Sequence, residues 1–96
     1  MKLFPLFADL HERPVLVVGG GGVAERKAAM LLDAGARITV GAPVLSPALQ
    51  AWVVAGRIVH RAGTFEPHWL DEAWLVVAAT DDAGLHQRIA ELAAAR

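Results

Sequence analysis

The sequence predicts an α/β fold: a doubly wound parallel sheet with helices on both faces. Three observations carry this. Short, continuous apolar runs end at small residues, as strands buried on both faces do. Stretches with a helical stripe follow those runs. The two patterns alternate from Pro14 to the end of the chain, which requires crossover connections and hence parallel strands. At 96 residues there is room for one small domain and no more.

The elements follow in order. PVLVV, Pro14 to Val18, is an apolar run that stops at glycine and predicts the first strand. From Gly22 to Ala34 the pattern turns helical. Ala24, Ala28, Leu31 and Gly35 share one stripe, while Glu25, Arg26 and Asp33 face water. Gly35 is placed to end that helix. RITV, Arg37 to Val40, predicts a second strand, and Gly41-Ala42-Pro43 then turns the chain. Ser46-Pro47 is a helix start, with serine as N-cap and proline at the first helical position. Leu49, Trp52 and Val53 form that helix's apolar face. A short third strand is expected around Ile58 and Val59, and one helical turn within EPHWLDEA. WLVVAAT, Trp74 to Thr80, predicts a fourth, buried strand. A last helix starts near Asp82, with Leu85, Ile89 and Leu92 as its stripe.

Composition narrows the function classes. Hydrophobic residues make up 55% of the chain, more than so short a domain hides, so some apolar surface is expected to meet a partner, a ligand or a missing remainder. A net charge of −1 gives no footprint for nucleic acid or an anionic membrane. There is no cysteine, which excludes disulfides, thiolate metal sites and cysteine nucleophiles and is compatible with a reducing cytoplasm. No apolar run reaches the roughly 18 residues of a membrane helix. Pro5, Asp9 and Glu12 break the N-terminal apolar stretch, against a signal peptide. IAELAAAR, at the C-terminus, is helix-forming without a stop signal, so the chain is expected to be a fragment of something longer.

The chemistry lies in VLVVGGGGVAERKA, Val15 to Ala28. Glycines between a strand and a helix let a phosphate approach bare backbone, and helix N–H groups and dipole favour the negative charge there. One register fits the dinucleotide fingerprint: Gly19-x-Gly21-x-x-Ala24. Gly19 would permit the tight turn, Gly21 would make room for the diphosphate, and Ala24 would let the helix lie close to the strand. Backbone N–H groups at Gly22 and Val23 would face the phosphates. The fingerprint's acidic residue, expected at the end of the second strand, is absent from Gly41-Ala42-Pro43. No arginine replaces it, since Arg37 stands at the strand's other end. The residues therefore leave NAD and NADP undivided, and backbone at Pro43 and Val44 would have to meet the ribose or adenine.

Other candidates have plainer readings. Asp82 suits an N-cap and Asp81 a position facing the cleft. His11, His60, His68 and His86 show no metal-ligand spacing and read as surface or structural. Arg26 and Lys27 read as solvated residues in the first turns of a helix rather than as phosphate ligands, although positive charge that early opposes the dipole. Trp52, Trp69 and Trp74 read as core or interface.

PLFADLHERPVLVVGGGGVAERKAAMLLDAGARITVGAP, followed by WLVVAATDDAGLHQRI, resembles the N-terminal domain of the siroheme synthases and the stand-alone precorrin-2 dehydrogenase/sirohydrochlorin ferrochelatases. The matching pieces are the Pro-x-Phe opening, VGGGGVAERKA, the L-x-x-AGA helix end and AATDD-x-x-x-x-QR. The resemblance covers essentially the whole chain. It implies a Rossmann-type domain, residues 1–96, that uses NAD to oxidise precorrin-2 to sirohydrochlorin. It implies Fe2+ insertion by the same protein, sometimes a fused methyltransferase, a cytoplasmic setting and a homodimer at full length. Cofactor contacts are implied at Gly21, Gly22 and Val23 and at Pro43 and Val44, with Thr80 and Asp81 beside the nicotinamide half. The family's general-base aspartate would fall beyond Arg96, so these residues correspond to the cofactor half alone and are expected to lack turnover. The alternative is a dinucleotide-sensing module without chemistry, which Gly41 in place of the acidic residue and VAERKA disfavour. A degenerate scaffold would bind neither nucleotide. Fold by itself does not decide among them.

Overall fold

β1 (Pro14–Val18) forms at the apolar run and becomes one of the two inner strands of a four-stranded sheet. The computed structural model describes residues 9–95, so the Pro-x-Phe opening at Pro5 and Phe7 and the terminal Arg96 lie outside the described residues. The elements run β1, α1 (Gly22–Asp33), β2 (Arg37–Ala42), α2 (Pro47–Val54), β3 (Val59–Ala62), a 3-10 turn (Pro67–Leu70), β4 (Leu75–Ala78) and α3 (Ala83–Ala94). All three strand pairs are parallel, and the order across the sheet is β3-β2-β1-β4. Val18 is in register with Gly41 on one side and with Ala78 on the other.

Alternation along the strands divides the interior. Val15, Val17, Ile38, Val40 and Ala42 face α1 and α2, where they pack on Ala24, Ala28, Leu31 and Leu49. Leu16 and Val18 face the other way, onto Phe65, Trp69, Leu70 and Ile89 of the 3-10 turn region and α3. Helical segments therefore cover both faces, as a doubly wound sheet requires. α1 ends as its sequence implies: Gly35 takes φ +84°, and Gly35 and Ala36 N–H groups donate to the carbonyls of Leu32 and Leu31 at 3.0 and 3.1 Å. Leu49 is fully enclosed. Leu49→Ala is expected to cost about 2–5 kcal/mol, read as a lower urea midpoint with the slope unchanged.

Two expectations are corrected. The second strand does not stop at Val40; it continues through Gly41 and Ala42, held by pairing to β3, and the chain turns at Pro43. The fourth strand is shorter than Trp74 to Thr80, and it is not buried. Leu75 to Ala78 are each half-buried, because the strand order leaves β4 at a sheet edge with β1 as its neighbour. Trp74 lies outside the strand at 47% exposure, with the Arg13 guanidinium 4.8 Å from its ring centre. Ile58 precedes β3 and is buried.

Candidate dinucleotide site at the carboxyl ends of β1 and β4

In an open parallel sheet the ligand crevice forms where strand order reverses, outside the strands' carboxyl ends. Here that point lies between β1 and β4. Gly19 follows β1, and Ala79 and Thr80 follow β4. Pro43 to Ser46, after β2, form the neighbouring wall. The structure thus brings Gly19, Gly21, Gly22, Val23, Ala24, Pro43, Val44, Thr80 and Asp81 to one end of the sheet, where the sequence reading required them.

The four glycines have different reasons to be glycine. Gly19 adopts φ +137°, and a Cβ there would stand 2.2 Å from the Ala79 carbonyl oxygen. Its N–H donates to the Gly41 carbonyl at 2.9 Å, continuing the β1–β2 ladder. A Cβ on Gly20 would stand 2.0 Å from the Val44 carbonyl oxygen and 2.9 Å from the Ala42 methyl. The Gly20 carbonyl accepts from Ser46 N–H at 2.7 Å, so the glycine turn and the β2–α2 loop are locked together. Gly20 is a variable position in the fingerprint, and sequence reasoning missed its role. The contact joins residues two dozen positions apart, and no local signal announces it.

Gly21 and Gly22 are otherwise. A Cβ on Gly21 would meet nothing within 4 Å, and its φ of −109° is open to any residue. A Cβ on Gly22 would meet only Arg26 Nη1, at 3.8 Å. Both glycines are exposed. The fold does not ask for glycine at either place.

The helix termini show the same division. Ser46 Oγ accepts from Leu49 N–H at 3.3 Å and caps α2. Asp82 Oδ1 accepts from Leu85 N–H at 3.0 Å and caps α3, as its sequence position predicted. Gly21, the N-cap of α1, offers no side chain to cap it. The first N–H groups of a helix have no partner within it, so those of Gly22 and Val23 open α1 toward the crevice. Ala24 is fully buried beneath them, against the sheet.

Two imidazoles hold the rims. His60 Nε2 donates to the Ala42 carbonyl at 2.8 Å, steadying the end of β2. His86 Nε2, at the start of α3, donates to the Thr80 carbonyl. Asp81 is exposed on that same rim. Neither histidine contact was legible in the sequence, where the four imidazoles show no pattern. Among the described residues no group of three or more His, Cys, Asp or Glu could hold a metal ion.

At Gly41, one of the three positions where the acidic residue was expected, the structure leaves no room for it. Gly41 is buried, and a Cβ on it would stand 2.3 Å from Cζ3 of Trp69. The Trp69 ring, edge-on to Phe65 at 5.8 Å, occupies the space a carboxylate would need. A separate cleft of about 550 Å3 opens toward the amino ends of β1 and β2, lined among others by Arg37, Arg57, His68 and Trp69. It touches no residue of the glycine turn. The strand topology and bare backbone, rather than cleft size, mark the glycine turn as the candidate site.

Comparison with known proteins bears on the family and the fold. Residues 6–96 match a family model described as "Putative NAD(P)-binding". A siroheme synthase of Xylella fastidiosa (strain M12) is 56% identical over 95 residues, covering 98% of this chain and 20% of the relative. A siroheme synthase of Escherichia coli O139:H28 (strain E24377A / ETEC) is 51% identical over 96 residues, covering 100% of this chain and 21% of the relative. The chain thus spans about a fifth of the length of these relatives. Among solved structures, SirC, a precorrin-2 dehydrogenase, superposes with a TM-score of 0.79 at 33% identity, over 88% of this chain and 43% of that one.

Proposed function

The chain belongs to the siroheme synthase N-terminal domain family, and from that premise we propose that residues 1–96 are the NAD-binding domain of a longer precorrin-2 dehydrogenase. One observation carries the reading most directly. Gly21 and Gly22 stand at an uncapped helix start, and no neighbour in the fold forbids them a side chain. Bare backbone there has a use when a diphosphate lies against it.

In this reading N–H groups of Gly22 and Val23 donate to the phosphates, and Gly21 leaves the approach clear. Gly19 sets the turn, and Ala24 seats α1 on the sheet. Backbone at Pro43 and Val44, fixed through Gly20 and His60, meets the adenosine end. Thr80 and Asp81 border the nicotinamide end. Bound NAD supplies a two-electron acceptor for hydride leaving the tetrapyrrole. Precorrin-2 as substrate, insertion of Fe2+ into the product and a full-length homodimer rest on the relatives' names and on the family resemblance. Nucleic acid has no place in the reading, given the net charge of −1. Among the described residues no helix is long and apolar enough to cross a membrane. We place the protein in the cytoplasm, with which its lack of cysteine is compatible.

Calorimetric titration with NAD and NADP tests the proposal. NAD is expected to bind, with no turnover of precorrin-2 and no iron insertion by these residues alone, since the resemblance places the general base beyond Arg96. Failure to bind either nucleotide would leave a scaffold. Turnover by the 96-residue chain would contradict the assignment of this part as the cofactor half.

A further inference from the structure

Arg26 lies on the exposed side of α1, opposite the buried stripe of Ala24, Ala28 and Leu31. Side chains in a helix lean toward its N-terminus. The long arginine stem therefore runs back one turn, and Gly22, having no side chain, leaves its track open. Nη1 comes to 3.8 Å from the point where a Gly22 Cβ would be. This puts the guanidinium over Gly22, on the first turn of α1. No carboxylate pairs with it among the described residues.

The position is electrostatically unfavourable in the empty protein. A cation near a helix N-terminus opposes the helix dipole. The rest of the rim offers an anion no cation: Gly19 to Val23, Pro43 to Ser46 and Ala79 to Asp82 contain no lysine or arginine, and Asp81 and Asp82 are acidic. Glu25, on the first turn of α1, adds a further negative charge. A ligand with two phosphates at this turn gains from a positive group close by, in addition to the helix N–H groups, and Arg26 is placed to be one.

We infer that Arg26 is a cofactor-binding residue whose guanidinium clamps the diphosphate from the solvent side while the backbone N–H groups of α1 hold it from below. The inference rests on the reading of the glycine turn as a dinucleotide site. The guanidinium sits over Gly22, at the turn assigned to the diphosphate, so the diphosphate rather than a phosphate on the adenosine ribose is the group it is expected to meet. A charge-assisted bond of this kind is planar and two-pronged, a geometry that lysine does not reproduce.

The test compares the unsubstituted chain with Arg26→Gln and Arg26→Lys, titrated with NAD, ADP-ribose, AMP and NADP at several NaCl concentrations. Arg26→Gln is expected to weaken NAD and ADP-ribose alike by about 10-fold or more, and AMP less. The fall of NAD affinity with salt should become shallower, which loss of a purely structural contact would not produce. Arg26→Lys should recover part of the affinity and melt with the parent, and Arg26→Gln should melt no lower than the parent, because the side chain is exposed and its charge opposes the helix dipole. Unchanged NAD affinity and salt dependence in Arg26→Gln would overturn the inference while leaving the dinucleotide site intact. Loss confined to NADP would also overturn it, by assigning the arginine to a ribose phosphate. An unsubstituted chain that takes up no NAD would remove both this inference and the site it rests on.

Discussion

Gly21→Val is expected to leave the domain folded and to reduce NAD affinity by at least about 100-fold. The two halves of that result have separate causes. A side chain at position 21 finds open space, with no atom within 4 Å, and the backbone there, at φ −109°, accepts valine. Valine is a poorer N-cap than glycine, which costs about 1 kcal/mol. For a domain of this length that lowers Tm by no more than about 8 °C. The ligand, by contrast, loses its approach. Two charge-assisted bonds from helix N–H groups to phosphate, each worth about 1.5–3 kcal/mol, can no longer reach their length. Their sum corresponds to at least two decades in Kd.

The same substitution one residue earlier is the control. Gly20→Val drives a Cβ to 2.0 Å from the Val44 carbonyl and should fail to fold, because that neighbour is backbone and the Ser46–Gly20 hydrogen bond holds it in place. Circular dichroism and calorimetry on the pair separate a ligand glycine from a structural one. Parent-like NAD binding by the position-21 variant would end the proposed function.

Gly41→Asp should unfold the domain. The substitution places a carboxylate near the end of the second strand, where dinucleotide sites of this type usually carry one. In the structure its Cβ would lie 2.3, 2.8 and 3.2 Å from three carbons of the Trp69 ring. Neither side can yield cheaply. β2 is paired on both edges, and Trp69 is buried among Leu16, Val18 and Phe65. Overpacking of this kind costs about 1–3 kcal/mol. The buried, unpaired carboxylate adds several more. A domain stable by about 5–15 kcal/mol, and at the low end for its size, does not survive that sum with a measurable folded plateau. Gly41→Asp combined with Trp69→Ala removes the steric part and should refold partly. A Gly41→Ala variant with the parent's denaturation midpoint would show that the Trp69 contact does not constrain this position.

These two positions also mark the limit of what could be read from residue order. Strand β1, the helical stripe of α1, the Ser46 and Asp82 caps and the Gly35 helix stop all depend on neighbours within about a turn. Periodicity and capping chemistry express them directly. The placement of Pro43, Val44, Thr80 and Asp81 at one end of the sheet was also legible, because parallel strands send their carboxyl ends to the same side. The extent of β2 was misjudged, since glycine and alanine ordinarily end a strand and pairing with β3 carried it on. The burial of β4 was misjudged because strand order, not apolar content, decides which strand stands at the edge.

Residue order alone determined that a bare turn follows the first strand and opens a helix, and hence the class of ligand this protein is built to meet. The tertiary structure alone decided which glycines the fold requires and which it leaves free to carry a side chain. It also decided why Gly41 carries no side chain and that Arg26 reaches the turn. Each of those is set by atoms brought within a few ångströms by chain folding, and a contact between distant segments, or a side chain's reach along a helix, leaves no period in the sequence that encodes it.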